Sequence, residues 1–240
     1  MFSLTGLTDV RIVLLGRRWS GKSSAGNTIL TGSGFRVSQR SVRCEVRQGD
    51  VAGRRVTVVD SPGWYYNSPL QNTSEMDRLE IQNSVSLCPP GPHAVLLVVP
   101  LDEAFTKAMR VAVEEHMALL SQSVWDHTIL LFTHGNRVGD SSIEQHIEAE
   151  GEDLRWLVDR CGNRYHVFNN QRKDDTHVTQ LLEKIEDMVS ANTGGHYEDD
   201  GDEKMSERKR DIEGHVLTFT TKTHRQRTAL KALFEGDSSV

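Results

Sequence analysis

The sequence predicts an α/β fold, a doubly wound and mostly parallel six-stranded sheet with helices on both faces. Three observations carry that reading. Short apolar runs at residues 10–15, 56–59, 94–99, 128–132 and 165–168 are mostly continuous rather than alternating, the pattern of strands buried on both faces. Longer amphipathic stretches separate them, which gives a βαββαβαβαβα order. A glycine-bounded turn stands between the first strand and the first helix, at the end of the sheet where open α/β folds gather a ligand.

The elements follow in order. Residues 10–15 form the first strand, and 22–30 the helix after the turn. Residues 42–51 alternate more than the other runs and end at Ala52-Gly53, so they read as an edge strand turning back into the strand at 56. Met76, Leu79, Ile81 and Val85 give helical spacing to 74–87, and Met109, Val111, Val113, Met117 and Leu120 to 106–120. Residues 143–160 are helical and charged, broken around Gly151. Leu181, Leu182, Ile185 and Met188 mark a closing helix over 178–189. Thr193-Gly194-Gly195 then reads as a stop. Residues 198–203 hold five acids in six positions, and 204–210 turn basic. The spacing of a Ca2+ loop is absent, so this is a solvated charge run. Residues 1–192 are expected to form one domain and 193–240 a flexible charged tail.

Composition limits the functions open to the chain. Its 240 residues are 37% hydrophobic, and the net charge of -6 argues against a nucleic-acid partner, because such affinity rests on phosphate neutralisation. The longest apolar run, 94–101, is too short to cross a bilayer, and no secretory pattern opens the chain. Cys44, Cys88 and Cys161 lie far apart without metal-ligand spacing, as expected of reduced thiols in a cytoplasmic protein.

The strongest chemical signal is Gly16-Arg17-Arg18-Trp19-Ser20-Gly21-Lys22-Ser23, which fits the phosphate-loop pattern of P-loop NTPases between a strand and a helix. Glycines let backbone amides curl around anionic oxygens, and the helix start presents its unpaired N–H groups. Gly16 through Ser24 are therefore candidate phosphate-binding residues: Gly16, Arg17, Arg18, Trp19, Ser20, Gly21, Lys22, Ser23 and Ser24. Lys22 would reach the β- and γ-phosphates, and Ser23 would ligate Mg2+. Asp60, ending the next buried strand in Asp60-Ser61-Pro62-Gly63, is the acid on the metal side, and the Gly63 amide is placed for the γ-phosphate. This D-x-x-G element points to GTP or GDP as ligand. The loop after the strand at 128–132 reads Thr133-His134-Gly135-Asn136, with Asn136 where a guanine-reading Asp is expected. An amide offers one acceptor where a carboxylate offers two, so discrimination between bases should weaken by roughly 2–3 kcal/mol.

Taken together, the run 16–30, Asp60-Ser61-Pro62-Gly63, Pro90-Gly91-Pro92-His93-Ala94, 127–134 and 161–170 resemble the AIG-type GTPases, the GTPases of immunity-associated proteins (GIMAP). The resemblance covers about residues 9–191. It implies a Ras-like domain that binds GDP or GTP with Mg2+, lies in the cytosol or on organelle membranes, and forms homodimers or oligomers through its nucleotide face. It assigns to Ser41 the metal-ligating hydroxyl of the first switch. It assigns base-side positions to Thr133, His134, Asn169 and Asn170.

Two departures bear on chemistry. Trp64 follows Gly63, so no glutamine is placed to orient water, and Ala104 stands where some members of the family supply an arginine to a partner. Arg17 and Arg18 are conceivable replacements, although polar loop residues are expected to face solvent or a partner. A nucleotide-gated assembly switch with slow or absent hydrolysis is the favoured reading. A GTP-hydrolysing enzyme activated by homodimerisation is the alternative. An ATP-dependent kinase or transporter subunit would need a lid or substrate domain for which the chain has no room.

Overall fold

The computed structural model describes residues 6–32, 34–37, 41–66, 68–137, 142–168, 176–192 and 195–198. They form one sheet in the order β2-β3-β1-β4-β5-β6. The strands are β1 (Asp9–Leu15), β2 (Glu45–Val51), β3 (Arg54–Asp60), β4 (Ala94–Pro100), β5 (Thr128–Thr133) and β6 (Tyr165–Val167). Five run parallel, and β2 pairs antiparallel with β3 as the expected edge hairpin, from Glu45 opposite Asp60 to Val51 opposite Arg54. The helices are α1 (Lys22–Ile29), α2 (Glu75–Ser84), α3 (Lys107–Met117), α4 (Ile143–Glu150), α5 (Glu152–Arg160) and α6 (Thr176–Ala191). The doubly wound α/β reading of the sequence is what the chain adopts.

The period-two geometry of β4 explains its continuous apolar run. Val95, Leu97 and Val99 enter one core with α2, α3 and α5, while Ala94, Leu96 and Val98 enter the other with α1 and α6. Burying each of these valine and leucine side chains contributes roughly 1.5–3 kcal/mol. Gly151 takes φ 96 between α4 and α5, which is the break expected inside 143–160. Ser142 caps α4 by accepting the Gln145 amide, and Ser74 caps α2 by accepting that of Asp77. α1 has no such cap; Gly21 precedes it at φ 92 and leaves the first-turn amides facing the loop.

Beyond α6 the chain returns to the domain. Tyr197 is buried, its amide donates to the Pro92 carbonyl, and its hydroxyl accepts from the Ser121 amide. Its ring meets His127 edge-on. Gly91 is required beneath it, since a Cβ there would fall 2.0 Å from the Tyr197 carbonyl oxygen. The charge runs at 199–210 lie outside the described residues, as does the remainder of the expected tail. No helix among the described residues is long and apolar enough to cross a membrane.

Candidate nucleotide-binding site

The site lies at the carboxyl ends of β1, β3 and β5, where three loops converge. The first is the phosphate loop. Gly16 takes φ 150, and a Cβ there would fall 2.7 Å from the Val98 carbonyl, so this backbone approach excludes any side chain. Lys22, buried at the start of α1, donates its ammonium to the carbonyls of Arg17 (2.8 Å) and Gly16 (3.1 Å). Burial lowers its pKa to about 8, Arg17 and Arg18 push the same way, and Asp60 opposes them. The lysine thus folds back on the loop's own carbonyls, where phosphate oxygens would compete for it.

The second loop follows β3. Asp60 is buried, and its Oδ2 accepts the Ser23 hydroxyl at 2.5 Å and the Ser41 hydroxyl at 3.4 Å. Its Oδ1 is buried with no hydrogen-bond partner. Burial pushes the carboxyl pKa up, against the pull of Lys22 and the two hydroxyls. A bare carboxylate oxygen beside two hydroxyl oxygens is a hard, all-oxygen donor set, and these residues fit a divalent cation such as Mg2+. Gly63 presses on the phosphate loop so closely that a Cβ would lie 2.6 Å from the Arg18 nitrogen and 2.7 Å from the Lys22 Nζ. The following Trp64 is buried and stacks on His116 at 4.5 Å between ring centroids. His116 is fixed on both nitrogens, by Thr73 at 2.7 Å and the Ala112 carbonyl at 2.6 Å, and burial lowers its pKa.

The third loop follows β5. Thr133 is buried and donates its hydroxyl to the Ser20 carbonyl at 2.7 Å, so it positions the phosphate loop from behind. His134 sits at φ 59 with its Nδ1 2.8 Å from Asp102. Gly135 cannot carry a side chain, since a Cβ would strike Val167 at 2.6 Å, and Asn136 stands exposed in the short turn Gly135–Arg137.

A cavity of about 420 Å³ opens among these loops, within the size range of small-ligand pockets. Of the candidate site residues, Arg18, Trp19, Gly21, Lys22, Ser23, Ser24, Ser41, Gly63 and His134 line it. Gly16, Arg17, Ser20, Asp60 and Thr133 stand behind this lining. Asn136 is not among the lining residues, and Asn169 and Asn170 lie outside the described residues. Val37 and Tyr65 also line the cavity, and no sequence motif marked them.

The expectation that Arg17 and Arg18 face solvent or a partner is corrected by the structure. Arg17 pairs with Glu103 at 2.7 Å and lies over the Tyr66 ring. Arg18 pairs with buried Asp77 at 3.1 Å, donates to the Gly63 carbonyl and lies 3.7 Å from the centre of the Tyr65 ring. A guanidinium next to a carboxylate and an aromatic face is better satisfied there than in water. Arg17 ties the phosphate loop to the segment after β4 through Glu103 and to Tyr66 after β3, and Arg18 ties it to the segment after β3, a junction completed by the Arg18 amide donating to the Trp64 carbonyl.

Similarity to known proteins agrees with this geometry. GTPase IMAP family member 8 of Homo sapiens is 28% identical over 198 residues, which cover 80% of this chain and 28% of that protein. Immune-associated nucleotide-binding protein 9 of Arabidopsis thaliana is 31% identical over 211 residues, covering 79% of this chain and 58% of that protein. The chain therefore spans less than two thirds of either relative. Toc33 from Arabidopsis thaliana, crystallised with GDP and Mg2+, shares the fold with a TM-score of 0.59 at 17% identity, over 78% of this chain and 86% of that one. For Toc33 and psToc159, dimerization is important for GTPase activity. The model of the AIG1 family matches residues 10–216, most of the chain and all three loops of the site: the chain belongs to the AIG1 family.

Proposed function

We propose that this chain binds guanine nucleotides with Mg2+ and acts as a nucleotide-gated assembly switch with slow hydrolysis. The observation that carries the reading is the convergence of Lys22, Ser23 and Ser41 on one cavity, with Asp60 behind them accepting both serine hydroxyls on one oxygen and its other oxygen left bare. Lys22 and the loop amides hold the phosphates, and Ser23, Ser41 and Asp60 hold the metal. Bound Mg2+ supplies charge neutralisation between the phosphates. Toc33, crystallised with GDP and Mg2+, supports the choice of ligand.

Slow turnover follows from what surrounds the γ-phosphate position. Trp64 is turned into the core against His116, Ala104 brings no cation, and Arg17 and Arg18 are held by carboxylates. An arginine finger is worth roughly 10³–10⁵ in rate, and a chain in which neither position 104 nor Arg17 and Arg18 supplies one keeps its nucleotide bound for long. Trp19 (73% exposed), Val37 (52%) and Tyr65 (57%) ring the cavity mouth with apolar surface, which suits a face that closes on a second copy when nucleotide orders it.

The test is equilibrium binding of labelled GTP, GDP and ATP to the parent chain and to Lys22→Ala. The parent should bind guanine nucleotide in a Mg2+-dependent manner, and the variant should lose the affinity. A Lys22→Ala protein that still binds with micromolar affinity would overturn the assignment.

A further inference from the structure

Trp19 sits at the crest of the phosphate loop with φ 65. That backbone region is costly for any residue with a Cβ and most costly for bulky ones. The loop is held in this shape from both flanks. Arg18 is tied to Gly63, Trp64 and Asp77 on one side. The Ser20 carbonyl accepts from Thr133 on the other, with Gly21 packed on the same threonine. The indole gains little from the protein in return, being 73% exposed, yet it lines the cavity together with Lys22, Ser23 and His134. Strained residues held by their surroundings cluster at ligand clamps, and here the strain presents a large apolar ring at a cavity wall that the protein itself leaves uncovered.

We propose that the Trp19 side chain is a nucleotide-retaining cover, whose indole lies against the nucleoside end of a bound purine nucleotide and slows its release. This deepens the nucleotide reading above and rests on it. The nucleoside end is chosen by the loop's own connections: Ser20 and Gly21, next in the chain, abut Thr133, whose neighbour His134 lines the same cavity. Ring-on-ring contact tolerates any base, so it adds retention without restoring the base discrimination that Asn136 is expected to weaken.

Tryptophan emission reads this contact directly. Trp64 and Trp125 are buried and Trp156 is partly buried, so Trp19 is the most solvent-exposed indole of the four. Saturation with Mg2+ and GDP should shift or quench the emission, and the change should vanish in Trp19→Gly. Release of a fluorescent GDP analogue should be about tenfold faster from Trp19→Gly, the scale of one lost stacking contact, and near the parent's rate from Trp19→Phe. The melting temperature of nucleotide-free Trp19→Gly should not fall, because glycine accepts the left-handed backbone and little packing is lost. If the parent binds GDP and Trp19→Gly releases it at the same rate, the cover is refuted while the site stands. If the parent binds no nucleotide, both fall.

Discussion

Lys22 shows how a single residue carries the link between burial and ligand charge. Its ammonium is buried against two carbonyls, and the pKa of about 8 reflects the desolvation. Phosphate oxygens favour the charged form and will raise that value. The sign follows: below pH of about 7 the lysine is already charged and binding takes up no proton, whereas above pH of about 8 binding must protonate it, so affinity falls as pH rises. Calorimetry of GDP binding at pH of about 8.5 in buffers of different ionisation enthalpy should report uptake of a substantial fraction of a proton, and almost none from Lys22 at pH of about 6.5. Equal heats in all buffers at the higher pH would mean that Lys22 is charged without nucleotide. Motif spacing marks Lys22, Ser23 and Asp60 as candidates for the phosphates and metal, and the family resemblance adds Ser41; the structure brings the four together. The roles of Arg17 and Arg18 are not legible in that spacing, because Glu103 and Asp77 lie 86 and 59 residues further along the chain, and only the closed fold brings them together.

At the scale of the element, periodicity served well where an element is long or buried. The apolar runs became the parallel strands, and the break at Gly151 separates two helices. The expected edge strand begins later, at Glu45, because pairing with β3 starts opposite Asp60 and the preceding residues instead approach the metal side through Ser41. Helix α2 gives way at Val85 to a tighter turn ending at Leu87, which local spacing does not distinguish from more helix. The segment at Tyr197 left no periodic signal at all, since one side chain filling a gap beside Gly91 and Pro92 has no pattern to repeat. Its burial is nonetheless substantial. Tyr197→Ala should cost about 3 kcal/mol in urea unfolding, the scale of a large-to-small change in a packed site, and Tyr197→Phe about 1 kcal/mol for the hydroxyl shared with Ser121. An alanine variant as stable as the parent would show that this strap is not part of the folded unit.

For the whole molecule, the apolar surface at the cavity mouth and the proposed nucleotide binding make one combined expectation. With GDP the chain should elute from a sizing column at a volume that does not depend on concentration. With a non-hydrolysable GTP analogue it should elute earlier as concentration rises. Identical profiles across a wide concentration range would count against gated assembly. The parallel strands add a geometric constraint to any such pair. The cavity follows the carboxyl ends of β1, β3 and β5, whereas Tyr197 is docked beside Pro92 and Ser121, which precede β4 and β5 at their amino ends. Two copies meeting mouth to mouth would keep each Tyr197 berth on the side of its own sheet turned away from the shared seam, so pairing and the anchoring of that tyrosine would not compete for the same surface.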